Sequence, residues 1–329
     1  MKVHKMIALL TLIVMILLVL SACQPEVIEK EVIVTKEVEK EVVVTEEVIV
    51  TEIVEVEPEE ESTFERAKRE GVIRVAFANE APYAYVSEEG KLTGESVEVA
   101  RAIFKNLGIE EMDGILTEWS GLIPGLIAKR YDAITAGMFI YPKRCEQVLF
   151  SDPDYALKDA LIVKAGNPFD LYSMEDIAAN PDVRVGTGAG YSSVDWLKGV
   201  GVTDDQIQLY PDGPSGVAAL KADQIDVWTS TAPACTVLVE NADDPDLELV
   251  AEDFEPPIID GTKIINYGGV AFRYEDQDLR NAYNEELAKL KESGELLEIH
   301  SQFPGFGAST QPGAVYAEDL CPDEYADIE

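Results

Sequence analysis

The stretch Ala136 to Tyr155, AGMFIYPKRCEQVLFSDPDY, holds the residues best placed to do chemistry. An apolar run ends in Ala136-Gly137-Met138, Phe139 follows, and Tyr141-Pro142 leads to Arg144. An arginine shortly after an aromatic, at the mouth of a strand, suits an anion with an apolar or cationic body. The guanidinium fork grips the anion and the ring covers the rest. The competing reading is a surface loop with a solvated arginine, and this stretch alone leaves both open. The chain has only two histidines, His4 before an N-terminal apolar run and His300 near the end of a helical pattern. A Ser/His/Asp or Cys/His catalytic set is therefore nearly excluded, as is a His-rich metal site. No metal, cofactor or enzymatic activity is expected.

The elements that must position this stretch follow from hydrophobic periodicity. Thr63 can cap a short helix, Phe64 to Glu70, which Gly71 ends, and Val72 to Phe77 reads as a buried strand. A loop through Glu80 and Tyr83 and a hairpin around Gly90 come next. Val97, Ala100, Ile103, Phe104 and Leu107 mark one face of a helix that Gly108 closes. Ile115 to Glu118 is strand-like, Ser120 is a candidate N-cap for Gly121 to Ala128, and Tyr131 to Ala136 is the strand that delivers Phe139. Leu161 to Val163 is a further strand and the expected first crossing to another lobe. There Val183 to Val185 runs into the glycine-rich Gly186-Thr187-Gly188-Ala189-Gly190, and Ser192-Ser193 opens a helix. Gln208 to Tyr210, Gly213 to Ala222, Ile225 to Trp228, a helix near Ala234 to Val239, and Leu247 to Val250 continue the alternation. Asp260-Gly261 signals a hairpin, Tyr267 to Phe272 a returning strand, and Asp278 to Leu297 one amphipathic helix. Strands and helices alternating at this length imply an α/β architecture with largely parallel sheets.

At 329 residues the chain is long enough for two lobes with real cores. Its formal net charge of -37 argues against nucleic-acid partners and against charge-driven binding to anionic membranes. Lys2 and Lys5 begin a basic start, Met6 to Leu20 is an apolar run too short for a comfortable span, and Leu20-Ser21-Ala22-Cys23 resembles the bacterial lipobox. That resemblance implies export, with 1–22 as signal peptide and Cys23 lipidated and anchored to the membrane. Gln24 to Ser62 is low-complexity, with EVIVT, EVVVT and EVIVT recurring at a spacing that fits neither a heptad nor a helix face. Glutamate repulsion should hold it extended, as an acidic stalk over 23–62. Cys145, Cys235 and Cys321 allow three pairings with one thiol left over in an oxidising compartment.

The order of elements resembles the extracellular solute-binding proteins of ABC importers, in the branch that binds polar amino acids. The marks are YDAITAGM followed by P-x-R, FSDPDY, the glycine turn before Ser192, and Ala218 to Asp226; they cover about Phe64 to Cys321. The resemblance implies a two-lobed periplasmic-binding-protein type II fold joined by two hinge strands. Lobe 1 would be 63–161 plus 271–329 and lobe 2 162–270, with an ABC permease as partner. Cys145 and Cys321 then share a lobe, which favours their disulfide and leaves Cys235 as a buried thiol.

Within this branch, FANEAPYAY, KLTGESVEVARAIFKNLGIEE, TEWSGLIPGL and AGMFIYPKRCEQVLFSDP are similar to the ectoine/hydroxyectoine-binding proteins. Carried over, that site falls on Glu80, Tyr83, Trp119, Phe139 and Arg144. Amino-acid binders usually carry Thr or Ser at the position of Phe139 and Asp at that of Thr231. The exchanges point to a small zwitterion whose cation is cyclic and delocalised. Arg144 is expected to hold its carboxylate, Glu80 to accept from its N–H groups, and the three aromatics to box the ring. From lobe 2, the Tyr191 backbone N–H and Ser192 are expected at a helix N-terminus that favours the carboxylate. The alternatives are a binding protein for a betaine or a polar or cationic amino acid, and a dehydratase-like enzyme on the same fold.

Overall fold

A computed structural model describes residues 61–325. The expected signal peptide, the expected lipidation site Cys23 and most of the expected stalk lie outside the described residues.

Ser62, not Thr63, caps the first helix, α1 (Thr63–Glu70), in a capping box with Glu65. Strand β1 (Val72–Phe77) follows. A small hairpin, β2 (Tyr85–Val86) and β3 (Leu92–Thr93), leads into α2 (Glu95–Asn106). Next come β4 (Glu111–Leu116), α3 (Leu122–Ile127), β5 (Ala133–Phe139), the single turn α4 (Pro142–Cys145), β6 (Leu149–Phe150) and β7 (Tyr155–Leu157). Ser120 makes no cap: Trp119–Gly121 winds as a 3-10 turn, and Gly121 precedes α3 without a side-chain bond. Later in the chain a short hairpin, β13 (Ile258–Ile259) and β14 (Thr262–Lys263), precedes β15 (Asn266–Phe272). Strands β1, β4, β5, β6, β7 and β15 form a six-stranded sheet in the order β4-β1-β5-β15-β6, with β7 also paired to β15. Strand β5 is buried at every residue, as a strand covered on both faces must be. Apolar clusters around Ile103 and Phe272 and around Leu122 and Phe150 pack on this sheet.

The second lobe holds β8 (Asp159–Lys164), α5 (Met174–Ala179), β9 (Val185–Gly188), α6 (Ser193–Gly199), β10 (Ile207–Tyr210), α7 (Gly213–Lys221), β11 (Val227–Thr231), α8 (Ala232–Ala242) and β12 (Leu247–Val250). Its five-stranded sheet runs β10-β9-β11-β8-β12. Strand β8 is antiparallel to β11 from Asp159 to Val163, so the crossing lies ahead of Asp159, earlier than the boundary after 161. The return precedes Asn266, since β15 pairs with β7 from that residue on, earlier than the boundary after 270.

The same device anchors both sheets. Arg74 in β1 grips Asp132, just before β5, through Nε and Nη2 at 3.1 and 2.7 Å. Arg184, just before β9, grips Asp226, just before β11, at 2.9 and 2.8 Å. Each bidentate pair fixes a strand's entry relative to its neighbour.

The amphipathic run expected as one helix over Asp278 to Leu297 is two, α9 (Gln277–Ser293) and α10 (Glu295–His300). Gly294 between them has φ +85°, the left-handed conformation that ends a helix. The tail returns to the first lobe through α11 (Ala317–Leu320). Cys321 is disulfide-bonded to Cys145 with Cα atoms 6.2 Å apart, and Cys235 is a free, buried thiol. No helix among the described residues is long and apolar enough to cross a membrane.

Candidate functional site

Parallel strands aim their C-terminal ends at a common crevice, and ligands of α/β proteins bind there. Here the loops after β1, β4 and β5 bring Glu80, Tyr83, Trp119 and Arg144 from one lobe, and Phe139 ends β5 itself. The turn after β9 brings Tyr191, Ser192 and Ser193, and the end of β11 brings Ser230 and Thr231. All of these line one cavity between the lobes, with Gly137 and Asp159. Every ligand residue expected from the sequence is therefore at one place.

The lobes are latched across it. The Tyr83 hydroxyl donates to Thr231 Oγ1 at 2.7 Å, and the Tyr191 hydroxyl donates to Glu80 Oε1 at 2.9 Å. Trp119 Nε1 and Arg144 Nη2 both donate to the Gly190 carbonyl at 3.1 Å. Trp119 and Tyr191 meet edge to face with centroids 5.2 Å apart. At the rim, Tyr141 and Lys143 both reach Asp195 of α6, at 2.9 and 2.7 Å.

Arg144 is 5% exposed, yet among the described residues it makes no ion pair. Its Nη1 donates to the Phe139 carbonyl at 2.9 Å, and its plane lies over Tyr141 and Trp119, 5.0 and 5.6 Å from their centroids. A guanidinium has five N–H donors, and two are spent on carbonyls. The rest remain for an anion. Burial lowers the affinity of this guanidinium for its proton, and the acidic groups around it work against that.

Glu80 is the complementary pole. Removal from water pushes its carboxyl up to about 7, while the Tyr191 hydrogen bond and the Arg144 charge pull it down. A carboxylate so placed gains from any cation that enters. Tyr83 and Phe139 are buried and form a cluster with Tyr155, Phe306 of the tail and Ala234 of the second lobe. Gly137 makes this packing feasible. Its φ is +64°, and a Cβ there would fall 2.4 Å from Tyr83 Cδ1.

One expectation needs correcting. The Tyr191 backbone N–H is spent on the Gly188 carbonyl at 3.1 Å, so the residue contributes its side chain instead. Ser192 lines the cavity and stands at the N-cap of α6, at the helix N-terminus where it is expected, without a cap bond from its hydroxyl. Thr231 is both a cap, accepting from Ala234 N at 3.3 Å, and the acceptor of the Tyr83 latch. Among the described residues no cluster of His, Cys, Asp or Glu could hold a metal ion.

Sequence reading missed Asp159. It is 3% exposed, lines the cavity, and sits at the register position paired with Thr231 across the antiparallel strands β8 and β11. The available signal was an acid directly before an apolar strand at the lobe crossing. Gly137, Ser193 and Ser230 were missed as well.

Two α/β lobes with a polar and aromatic cleft between crossing strands form a site that can enclose a small solute. The chain belongs to the bacterial extracellular solute-binding proteins, family 3, which residues 73–307 match. It is 31% identical to a probable amino-acid ABC transporter periplasmic-binding protein of Sinorhizobium fredii over 72% of this chain and 78% of that one. It is 27% identical to the L-cystine-binding protein TcyJ of Escherichia coli over 76% and 88%. Among solved structures, EhuB in complex with hydroxyectoine is similar at 39% identity and a TM-score of 0.72, covering 79% of this chain and 98% of that one. The homologues are binding proteins and not enzymes, and the chain is one of them.

Proposed function

We propose that this protein captures ectoine or hydroxyectoine, a carboxylate joined to a cyclic amidinium, and delivers it to an ABC permease. One observation carries the reading. Arg144, buried without an acidic partner among the described residues, and Glu80, a carboxyl lifted by burial, line the same cavity with aromatics beside them. Arg144 holds the ligand carboxylate, and Glu80 accepts from a ring N–H. Trp119, Tyr83 and Phe139 cover the delocalised cation, at about 0.5–2 kcal/mol per desolvated cation–π contact. Tyr191, Ser192 and Thr231 complete the cleft from the second lobe. The likeness to EhuB supports this ligand, and the names of the curated relatives support an amino-acid-like solute and an ABC partner. Binding and closure are one event, the second lobe swinging about the two crossing strands. Lipidation of Cys23 tethers the protein to the outer face of the cell membrane by an acidic stalk.

Calorimetry with ectoine, hydroxyectoine, glycine betaine, glutamine and arginine tests the proposal. Saturable binding of ectoine or hydroxyectoine is expected. Tight binding of glutamine or arginine with no response to either ectoine would overturn it.

A further inference from the structure

Asp159 stands at the first residue of β8, where the chain enters the second lobe, with its side chain on the cavity wall. Its Oδ1 accepts from Asn266 Nδ2 at 3.2 Å. The orientation of that amide is determined, because Trp196 Nε1, a donor only, reaches Asn266 Oδ1 at 3.2 Å. Asn266 must therefore present its NH₂ to Asp159. The other oxygen, Oδ2, is fully buried and has no hydrogen-bond partner among the described residues. Among the described residues Asp159 makes no ion pair, and burial pushes its carboxyl up to about 7, against the pull of Asn266. A buried carboxylate oxygen with neither donor nor counter-charge is costly unless something in the cavity supplies one.

Glu80 and Asp159 reach the cavity from different lobes, so together they ask for donors on two sides of one cation. Resting on the ligand class proposed above, we infer that Asp159 is a second anionic contact of the ligand, selecting cations that present two separate N–H donors. Amidinium and guanidinium groups satisfy this, one N–H to Glu80 and the other to Asp159 Oδ2, while Arg144 holds the carboxylate. A quaternary ammonium has no N–H to offer and leaves both carboxylates without a donor. The two acids and one guanidinium also outweigh a zwitterion by one negative charge. A net-neutral ligand is therefore held with one proton retained on the carboxyl pair, and a net-cationic one without it.

The test is calorimetry of wild type and Asp159→Asn with ectoine, hydroxyectoine, arginine and glycine betaine, together with ligand-free melting. Asparagine keeps the size of the side chain and an oxygen for Asn266. The expected result is a loss of tenfold or more for whichever N–H-bearing ligand the wild type binds, with a ligand-free melting temperature equal to or above wild type. Affinity within twofold of wild type would overturn the inference. So would glycine betaine binding as tightly as ectoine, and so would a fall in melting temperature with binding unchanged, which marks a purely structural acid. If the wild type ignores both ectoines but binds arginine, the proposed ligand fails alone. Arginine then decides Asp159: weakening by Asp159→Asn supports the inference, and equal binding sinks it.

Discussion

Burial of Glu80 in the closed cleft makes closure of the empty protein depend on pH, with a sign that can be worked out. In the closed, ligand-free cleft the Glu80 carboxyl rises from an ordinary 4.5 to about 7, chiefly through loss of water. The closed form then holds a proton that the open form has released. Below about pH 4.5 both forms are protonated, and closure carries no penalty from this group. The penalty grows between about 4.5 and 7 and is complete above 7. The interval of about 2.5 pH units corresponds to roughly 3 kcal/mol, at 1.36 kcal/mol for each. Glu80 keeps some contact with water, which screens the charge and makes this figure a ceiling. Raising the pH should therefore open the empty protein, by up to about three-hundredfold in the open-to-closed ratio. A fluorophore pair spanning the lobes, or small-angle scattering, would follow this without ligand. Glu80→Gln keeps an oxygen for Tyr191 and removes the charge, so it should stay closed further into the alkaline range. Asp159 responds with the same sign, so the single change removes part of the response and the double change with Asp159→Asn flattens it. An identical pH response in wild type and Glu80→Gln would refute the reasoning.

Three further outcomes are expected. Arg144→Ala should cost about 2–5 kcal/mol of ligand affinity, since it leaves a buried carboxylate unpaired; calorimetry showing no change would remove Arg144 from the site. Gly137→Ala should lower stability by roughly 1–3 kcal/mol and weaken binding, because the new Cβ meets the Tyr83 ring at a left-handed backbone position; thermal unfolding reads the first effect and titration the second. Replacing Cys145 and Cys321 by serine opens a loop of 176 residues and should cost about 2–5 kcal/mol in denaturant unfolding, while Cys235→Ser should leave this constraint untouched.

The strand–helix alternation was legible because it is local: β-branched runs, helix faces and glycine stops each fit within a dozen residues. The walls of the cleft could be named because Phe139 and Arg144 lie on one short stretch, and the matching segments around Glu80, Tyr83 and Trp119 follow a family pattern. What escaped was non-local. Asp159 becomes a site residue only through its register with Thr231, some seventy positions away, and no periodicity announces an antiparallel pairing. The Tyr191 backbone N–H looked free until the turn closed on Gly188. The break at Gly294 could have been read from sequence, but apolar spacing on both sides of it matched one helix.

The Gly190 carbonyl accepts from Trp119 and Arg144 of the opposite lobe at once. One oxygen thus saturates both its lone pairs on the partner's cation and indole. Parting the lobes strips two donors of their acceptor in a single movement, and it lets water reach the guanidinium that would grip a ligand. If Arg144 holds the ligand carboxylate as proposed, retention and release lie on one mechanical coordinate, and whatever pries the lobes apart also wets the arginine without touching the bound molecule.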